Sequence, residues 1–92
     1  MDLFDPVTGL SDRRGFLDLL AQAIAAIDEQ ASIGLLIVDI DRFTQINVAY
    51  GYGVGDEVLR HLAGRAREVA RANDRVARIG DNRFALILPR LK

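Results

Sequence analysis

The sequence predicts a small α/β domain of the α+β kind, a β-α-α-β-β core preceded by an N-terminal helix. Three observations predict it. Leu17, Leu20, Ile24 and Ile27 recur at the spacing that lines one face of a helix. Ile33 to Val38 is an unbroken apolar run rich in β-branched residues, as expected of a strand covered on both faces. Residues 75–79 and 83–88 are two more strand-like runs around the tip Asp81-Asn82, residue types that tolerate the left-handed backbone of a tight hairpin turn.

Taken in order, residues 1–10 are a lead-in whose end, Asp5-Pro6-Val7-Thr8-Gly9-Leu10, is rich in turn formers. Ser11 is the N-cap candidate for a helix over 12–29. The run from Ile33 follows as a central strand. Asp41 is placed to cap a short helix through Tyr50, which Gly51 ends. Gly51, Gly53 and Gly55 mark a loop. Asp56 then opens a longer helix with Val58, Leu59, Leu62, Ala66 and Val69 on one face.

A strand, a helical crossover and a hairpin make one half of a ferredoxin-like palm. The crossover is expected to be right-handed towards whichever hairpin strand pairs parallel with the first. The other half of such a palm, a further helix and strand, is missing. Residues 1–92 therefore read as a partial domain, the lead-in at 1–10 and a helix plus half palm at 11–92. A half palm leaves an open backbone edge and an uncovered apolar face. The expectation is a fragment of a longer polypeptide, or a chain completed by strand exchange or association, hence a homo-oligomer or part of a multidomain protein.

Composition narrows the function classes. The chain has 92 residues, half of them apolar, with 12 Lys and Arg against 13 Asp and Glu. That balance gives no global attraction to nucleic acid or to an anionic membrane. There is no cysteine, so disulfides, thiolate metal sites and thiol nucleophiles are excluded. No apolar run is long enough to span a bilayer, and the start lacks the basic and apolar regions of a signal peptide. A cytoplasmic protein is expected.

Several segments, in order and at matching spacing, resemble the diguanylate cyclase (GGDEF) family, which makes cyclic di-GMP from two GTP. Asp5-Pro6-Val7-Thr8-Gly9-Leu10, with Arg13, Arg14 and Phe16, is similar to its opening segment. Val38-Asp39-Ile40-Asp41-Arg42-Phe43 with Asn47 is similar to its first acidic motif. Tyr50-Gly51 and Gly55-Asp56-Glu57-Val58-Leu59 are similar to its helix-entry motif. Gly80-Asp81-Asn82-Arg83-Phe84 stands where the family reads Gly-Gly-Asp/Glu-Glu-Phe. The resemblance covers nearly the whole chain, but only about the first half of the family's domain, and implies a palm of nucleotide-cyclase type.

The resemblance also implies roles. Asp39 and the Ile40 carbonyl correspond to Mg²⁺ ligands, chemistry that suits a hard dication. The second metal carboxylate of the family falls on Asn82, which carries no charge. Arg83 replaces an acid, and Asp81 replaces a glycine where phosphates approach. Arg83 is expected to pair with Asp81 or to meet a phosphate. Each change at the tip 80–84 opposes cyclisation. Thr44 stands where the family commonly has Lys. Asn47 and Asp56 correspond to residues on the guanine edge, where an amide and a carboxylate can read acceptors and donors. Arg71-Ala72-Asn73-Asp74 lies five residues before Gly80, the family's spacing for an allosteric cyclic di-GMP site, where Arg71 and Asp74 would grip guanine or phosphate.

Other residues have plainer readings. His61 is the single histidine and is read as a surface or packing residue. Tyr50 and Tyr52 are expected to pack the loop. Arg65, Arg67, Arg71, Arg75 and Arg78 are read as a solvated basic face. The expected function is a degenerate, regulatory GGDEF-type domain that binds cyclic di-GMP or GTP. The alternatives are a residual diguanylate cyclase and a nucleotide-free dimerisation module.

Overall fold

The structure, a computed structural model, describes residues 3–29 and 32–91. The elements run α1 (Arg13–Ala25), β1 (Ser32–Asp39), α2 (Phe43–Tyr50), α3 (Tyr52–Val69), β2 (Arg75–Gly80) and β3 (Arg83–Leu91). This is the expected order, and the differences below each have a local cause.

The sheet has three strands in the order β1-β3-β2. β3 pairs antiparallel with both neighbours, so no hairpin strand pairs parallel with β1. β1 and β2 share a direction but lie on opposite sides of β3. The centre of the sheet is thus β3, where Phe84, Ala85, Leu86 and Ile87 are all buried. The expectation that β1 is central is corrected. It lies at one end of the strand order, and Leu35, Leu36, Ile37 and Val38 are 43–51% exposed. Its continuous apolarity suits a strand flanked on both sides, and the described residues flank it on one.

Each face of the sheet has its own core. On one, Leu10, Phe43, Leu59 and Ala63 close over Phe84. On the other, Phe16 packs with Ala77, Ala85 and Ile87, joined by Leu20 and Ala23. Removing Leu59 wholly from water, at 0% exposure, contributes about 2 kcal/mol.

Ser11 does not cap α1. Asp12 does, its side chain accepting from the Gly15 N–H at 2.9 Å, while Ser11 is held in short bridges to Phe4 and Ala77. α1 stops at Ala25 rather than 29. Asp28 and Glu29 would put negative charge at the negative end of the helix dipole. Its buried face is Phe16, Leu19, Leu20 and Ala23, so Leu17, Ile24 and Ile27 stay exposed. Apolar residues encircle much of this helix, and the pattern alone admits either stripe.

Asp41 is likewise not a cap. Arg42 occupies that position with φ 58°, and makes no capping hydrogen bond with its side chain. The end of β1 is pinned one residue past Asp39 by the Ile40 N–H donating to the Asn82 carbonyl at 2.9 Å. The chain turns at residues 41–42, so α2 starts later than expected. Gly51 ends α2 as expected, but α3 starts at once with Tyr52. Gly53, Gly55 and Asp56 are therefore inside α3, not in a loop or at a cap. Its buried line is Gly55, Leu59 and Ala63, residues four apart, while Leu62 and Val69 are exposed. The small residues on either side of Leu59 let the helix lie close to its neighbours.

The hairpin tip also departs from expectation. Among the described residues the only non-glycine with positive φ is Arg42, so Asp81 and Asn82 are not left-handed. A register shift between Arg78 and Gly80 supplies the extra residue and twist that such a turn needs.

Candidate functional site

One glycine organises the site. Gly51 has φ 88° and serves as the end of α2 and the start of α3, a backbone state that costs glycine little. The two helices therefore meet at a corner, with Asn47 one turn before it and Gly55-Asp56 one turn after. Gly55 is buried against Asn47, and a methyl group at Gly55 would collide with the Asn47 side-chain oxygen.

Between this corner and the hairpin tip is a cavity of about 460 Å³, within the usual range for small-ligand sites. Asn47, Asp56 and Tyr52 line one side, and Arg78, Asp81 and Asn82 the other. The Asn47 Oδ1 atom is buried and has no hydrogen-bond partner, which is uncommon for a buried polar group. Sequence reasoning gave Asn47 and Asp56, and the structure brings them to one cavity together with the tip. Tyr50 and Tyr52 do not pack the loop, being 71% and 77% exposed. There is no loop for them to pack, since both lie in helices. His61 is exposed, as a surface role implies.

The tip is tied to β1 by its own residues. Asp39 lies directly opposite Arg83 in the register of β1 and β3. Arg83 Nε donates to Asp39 Oδ1 at 2.7 Å and Nη2 donates to Oδ2 at 3.4 Å. This contact, and then the nearby negative charge, push the Arg83 pKa up. The expected pairing of Arg83 with Asp81 is corrected, because the strand register turns Arg83 towards β1. The Asn82 side-chain amide donates to the Ile40 carbonyl at 3.1 Å. Asp39 and Ile40 are thus brought together with Asn82 and Arg83. Among the described residues no three His, Cys, Asp or Glu side chains cluster as a metal set.

Arg78 departs from the expected solvated face. Its guanidinium donates to Asp5 Oδ1 at 3.0 Å, to the Gly80 carbonyl at 3.2 Å and to the Asp81 carbonyl at 2.9 Å. Asp5 in turn accepts from the Thr8 amide at 2.8 Å and hydroxyl at 2.7 Å. Burial alone would raise the Asp5 pKa, but the Thr8 hydrogen bonds and the Arg78 charge outweigh it and leave it lowered. The sequence signal for Arg78 was its position two residues from Val76, a residue that packs on the α3 side of the sheet.

Arg71 and Asp74 form a closed pair away from this cavity. Arg71 Nη2 donates to Asp74 Oδ1 at 3.0 Å and to the Pro89 carbonyl at 3.2 Å, and the Arg71 N–H donates to Asp74 Oδ2 at 2.8 Å. The Arg71 hydrogen bonds hold the Asp74 pKa down. The Arg71 side chain remains 56% exposed, against 4% for Asp74. The pair borders a second cavity, about 440 Å³, with Arg67 and Arg75.

The sequence matches the model of the diguanylate cyclase, GGDEF domain over residues 2–92. It is 34% identical over 87 residues to the diguanylate cyclase DgcS of Shewanella oneidensis, covering 94% of this chain and 29% of that protein. To the diguanylate cyclase DgcM of Escherichia coli K12 it is 41% identical over 90 residues, covering 94% of this chain and 21% of that protein. The structure is similar to the GGDEF domain of DgcB from Caulobacter crescentus, solved in complex with c-di-GMP. The TM-score is 0.92 at 35% identity, covering 100% of this chain and 54% of that chain. The chain belongs to the GGDEF domain family of diguanylate cyclases. It spans less than a third of these two curated relatives, at 29% and 21%, and about half of the solved chain, at 54%. Among the described residues no helix is long and apolar enough to cross a membrane.

Proposed function

We propose that this domain acts in cyclic di-GMP signalling as a regulatory domain that binds a guanine nucleotide and does not cyclise it. The observation that carries the reading is that Asn47, whose Oδ1 is buried and without a partner, and Asp56 line one cavity. Turned from Gly55 into the cavity, the Asn47 amide can accept from a guanine amino or imino group, and the Asp56 carboxylate can accept from its neighbour. Such donors match guanine and not adenine's single amino group.

The tip argues against turnover. Cyclisation needs a 3′-hydroxyl activated and phosphate charge neutralised. Here the second carboxylate is an amide, Asn82, and Asp81 adds negative charge beside the cavity. A second ligand surface is supported by the basic cavity at Arg67, Arg71 and Arg75. Its candidate ligand is c-di-GMP, the molecule bound in the DgcB structures. In this reading Arg71 swings from Asp74 to take the ligand and exposes a carboxylate for guanine.

The test is calorimetric titration of GTP and of cyclic di-GMP into the 92-residue chain, with Asn47→Ala and Arg71→Ala beside it. Saturable GTP binding lost in Asn47→Ala, with no cyclic di-GMP formed from GTP and Mg²⁺, is the expected result. Turnover above a protein-free control refutes the regulatory reading, and no binding of either nucleotide refutes nucleotide recognition.

A further inference from the structure

Two groups of this chain that resemble metal ligands, the Asp39 carboxylate and the Ile40 carbonyl, are already occupied by protein donors. Arg83 donates to both carboxylate oxygens, at 2.7 and 3.4 Å, in a pair whose side chains are each 53% exposed. Asn82 takes the Ile40 carbonyl through its amide at 3.1 Å, and returns its own carbonyl to the Ile40 N–H at 2.9 Å. The contact between Asp39 and Arg83 is set by strand register, because the two residues are direct cross-strand partners.

A divalent cation does not fit this donor set. Mg²⁺ and Mn²⁺ want several oxygen ligands and negative charge. Here one carboxylate and one carbonyl face a monocation and an amide N–H, both of which repel a dication at contact distance. An ion taking both groups would compete with the Arg83 fork and the Asn82 bond and sit beside the guanidinium.

We propose that Arg83 and Asn82 are a protein-borne replacement for a divalent cation, closing the Asp39–Ile40 corner to metal and making ligand binding in the adjoining cavity metal-independent. The exclusion of metal stands on the tip geometry alone. The second half, metal-independent nucleotide binding, rests on the guanine-nucleotide reading above.

The experiment is a Mn²⁺ titration of the full 92-residue chain, followed by the electron paramagnetic resonance signal of free Mn²⁺. Wild type is expected to leave that signal unchanged up to about 1 mM ion. The double variant Asn82→Asp with Arg83→Gln is expected to take up Mn²⁺, with affinity falling about tenfold or more on adding Asp39→Asn. Mn²⁺ uptake by wild type that Asp39→Asn abolishes overturns the proposal, as does a folded double variant that behaves like wild type.

Should the double variant fail to fold, the wild-type NMR spectrum decides. Amide signals of Ile40 and Arg83 unbroadened by Mn²⁺ support the closed corner, and selective broadening of these two overturns it. GTP titrations in Mg²⁺ and in EDTA complete the test. Equal affinity supports metal independence, and loss of about tenfold or more in EDTA contradicts it. GTP binding in neither buffer sinks the nucleotide reading and leaves the Mn²⁺ arm to judge the tip.

Discussion

Arg78 reaches Asp5 across 73 residues of sequence, at 3.0 Å, and the same guanidinium closes the hairpin tip through two carbonyls. The two side chains are only 15% and 12% exposed. Loss of Arg78 therefore leaves a mostly covered carboxylate with Thr8 as its remaining partner. Arg78→Ala is expected to cost about 2–3 kcal/mol of stability. A urea unfolding curve with an unchanged midpoint contradicts this.

Acid should expose the same contact. The Asp5 and Asp74 pKa values are both lowered by folding. Their contribution is therefore complete above the ordinary carboxylate value, about 3.9, and is lost as pH falls through the lower folded values. Stability should be level in carboxylate terms from neutral pH down to about pH 5 and decline below about pH 4. Melting temperature against pH checks this, with Asp5→Asn expected to show a shallower acid limb from a lower starting point.

Gly55→Ala tests the helix corner. The added methyl meets the Asn47 side chain, so either Asn47 leaves its position or α3 shifts. A stability loss of about 1–3 kcal/mol is expected for such overpacking. GTP affinity should fall with it. A variant that melts and binds like the parent shows that the corner has slack.

Arg71→Ala should separate binding from folding. Arg71 is 56% exposed but its partner Asp74 only 4%, and Asp74 keeps the Arg71 backbone N–H as a donor, so the change is expected to cost about 1–3 kcal/mol. The fold should survive the change, and cyclic di-GMP binding should not. Retained binding by calorimetry removes the second ligand surface.

The main architecture was legible because strands and helices differ in period. The β1 run, the hairpin and the three helices occur in the expected order, with the helix ends displaced. What was not legible depended on contacts distant in sequence. Asp12 takes the cap from Ser11 because Ser11 is engaged with Ala77, on a strand far along the chain. The buried stripe of α1 was ambiguous because Leu17 and Ile24 satisfy the helical period as well as Phe16 and Leu20 do, and only the sheet chooses. At the site, Asn47 and Asp56 were readable as motif positions. The partner of Arg83 was not, since Asp81 is near in sequence while Asp39 is near only through strand register.

The strand order bears on how the chain acquires its shape. β3 sits between β1 and β2, so no strand pairs until β3 joins them. The apolar residues of β1 must wait through two helices and another strand, and Asp39 and Arg83 are 44 positions apart. Such long loops slow the search for native pairing. On a ribosome, β1 emerges well ahead of its partner with four large aliphatic side chains in a row, Leu35 to Val38. That interval is the time at which a chaperone has most to bind and aggregation has most to gain.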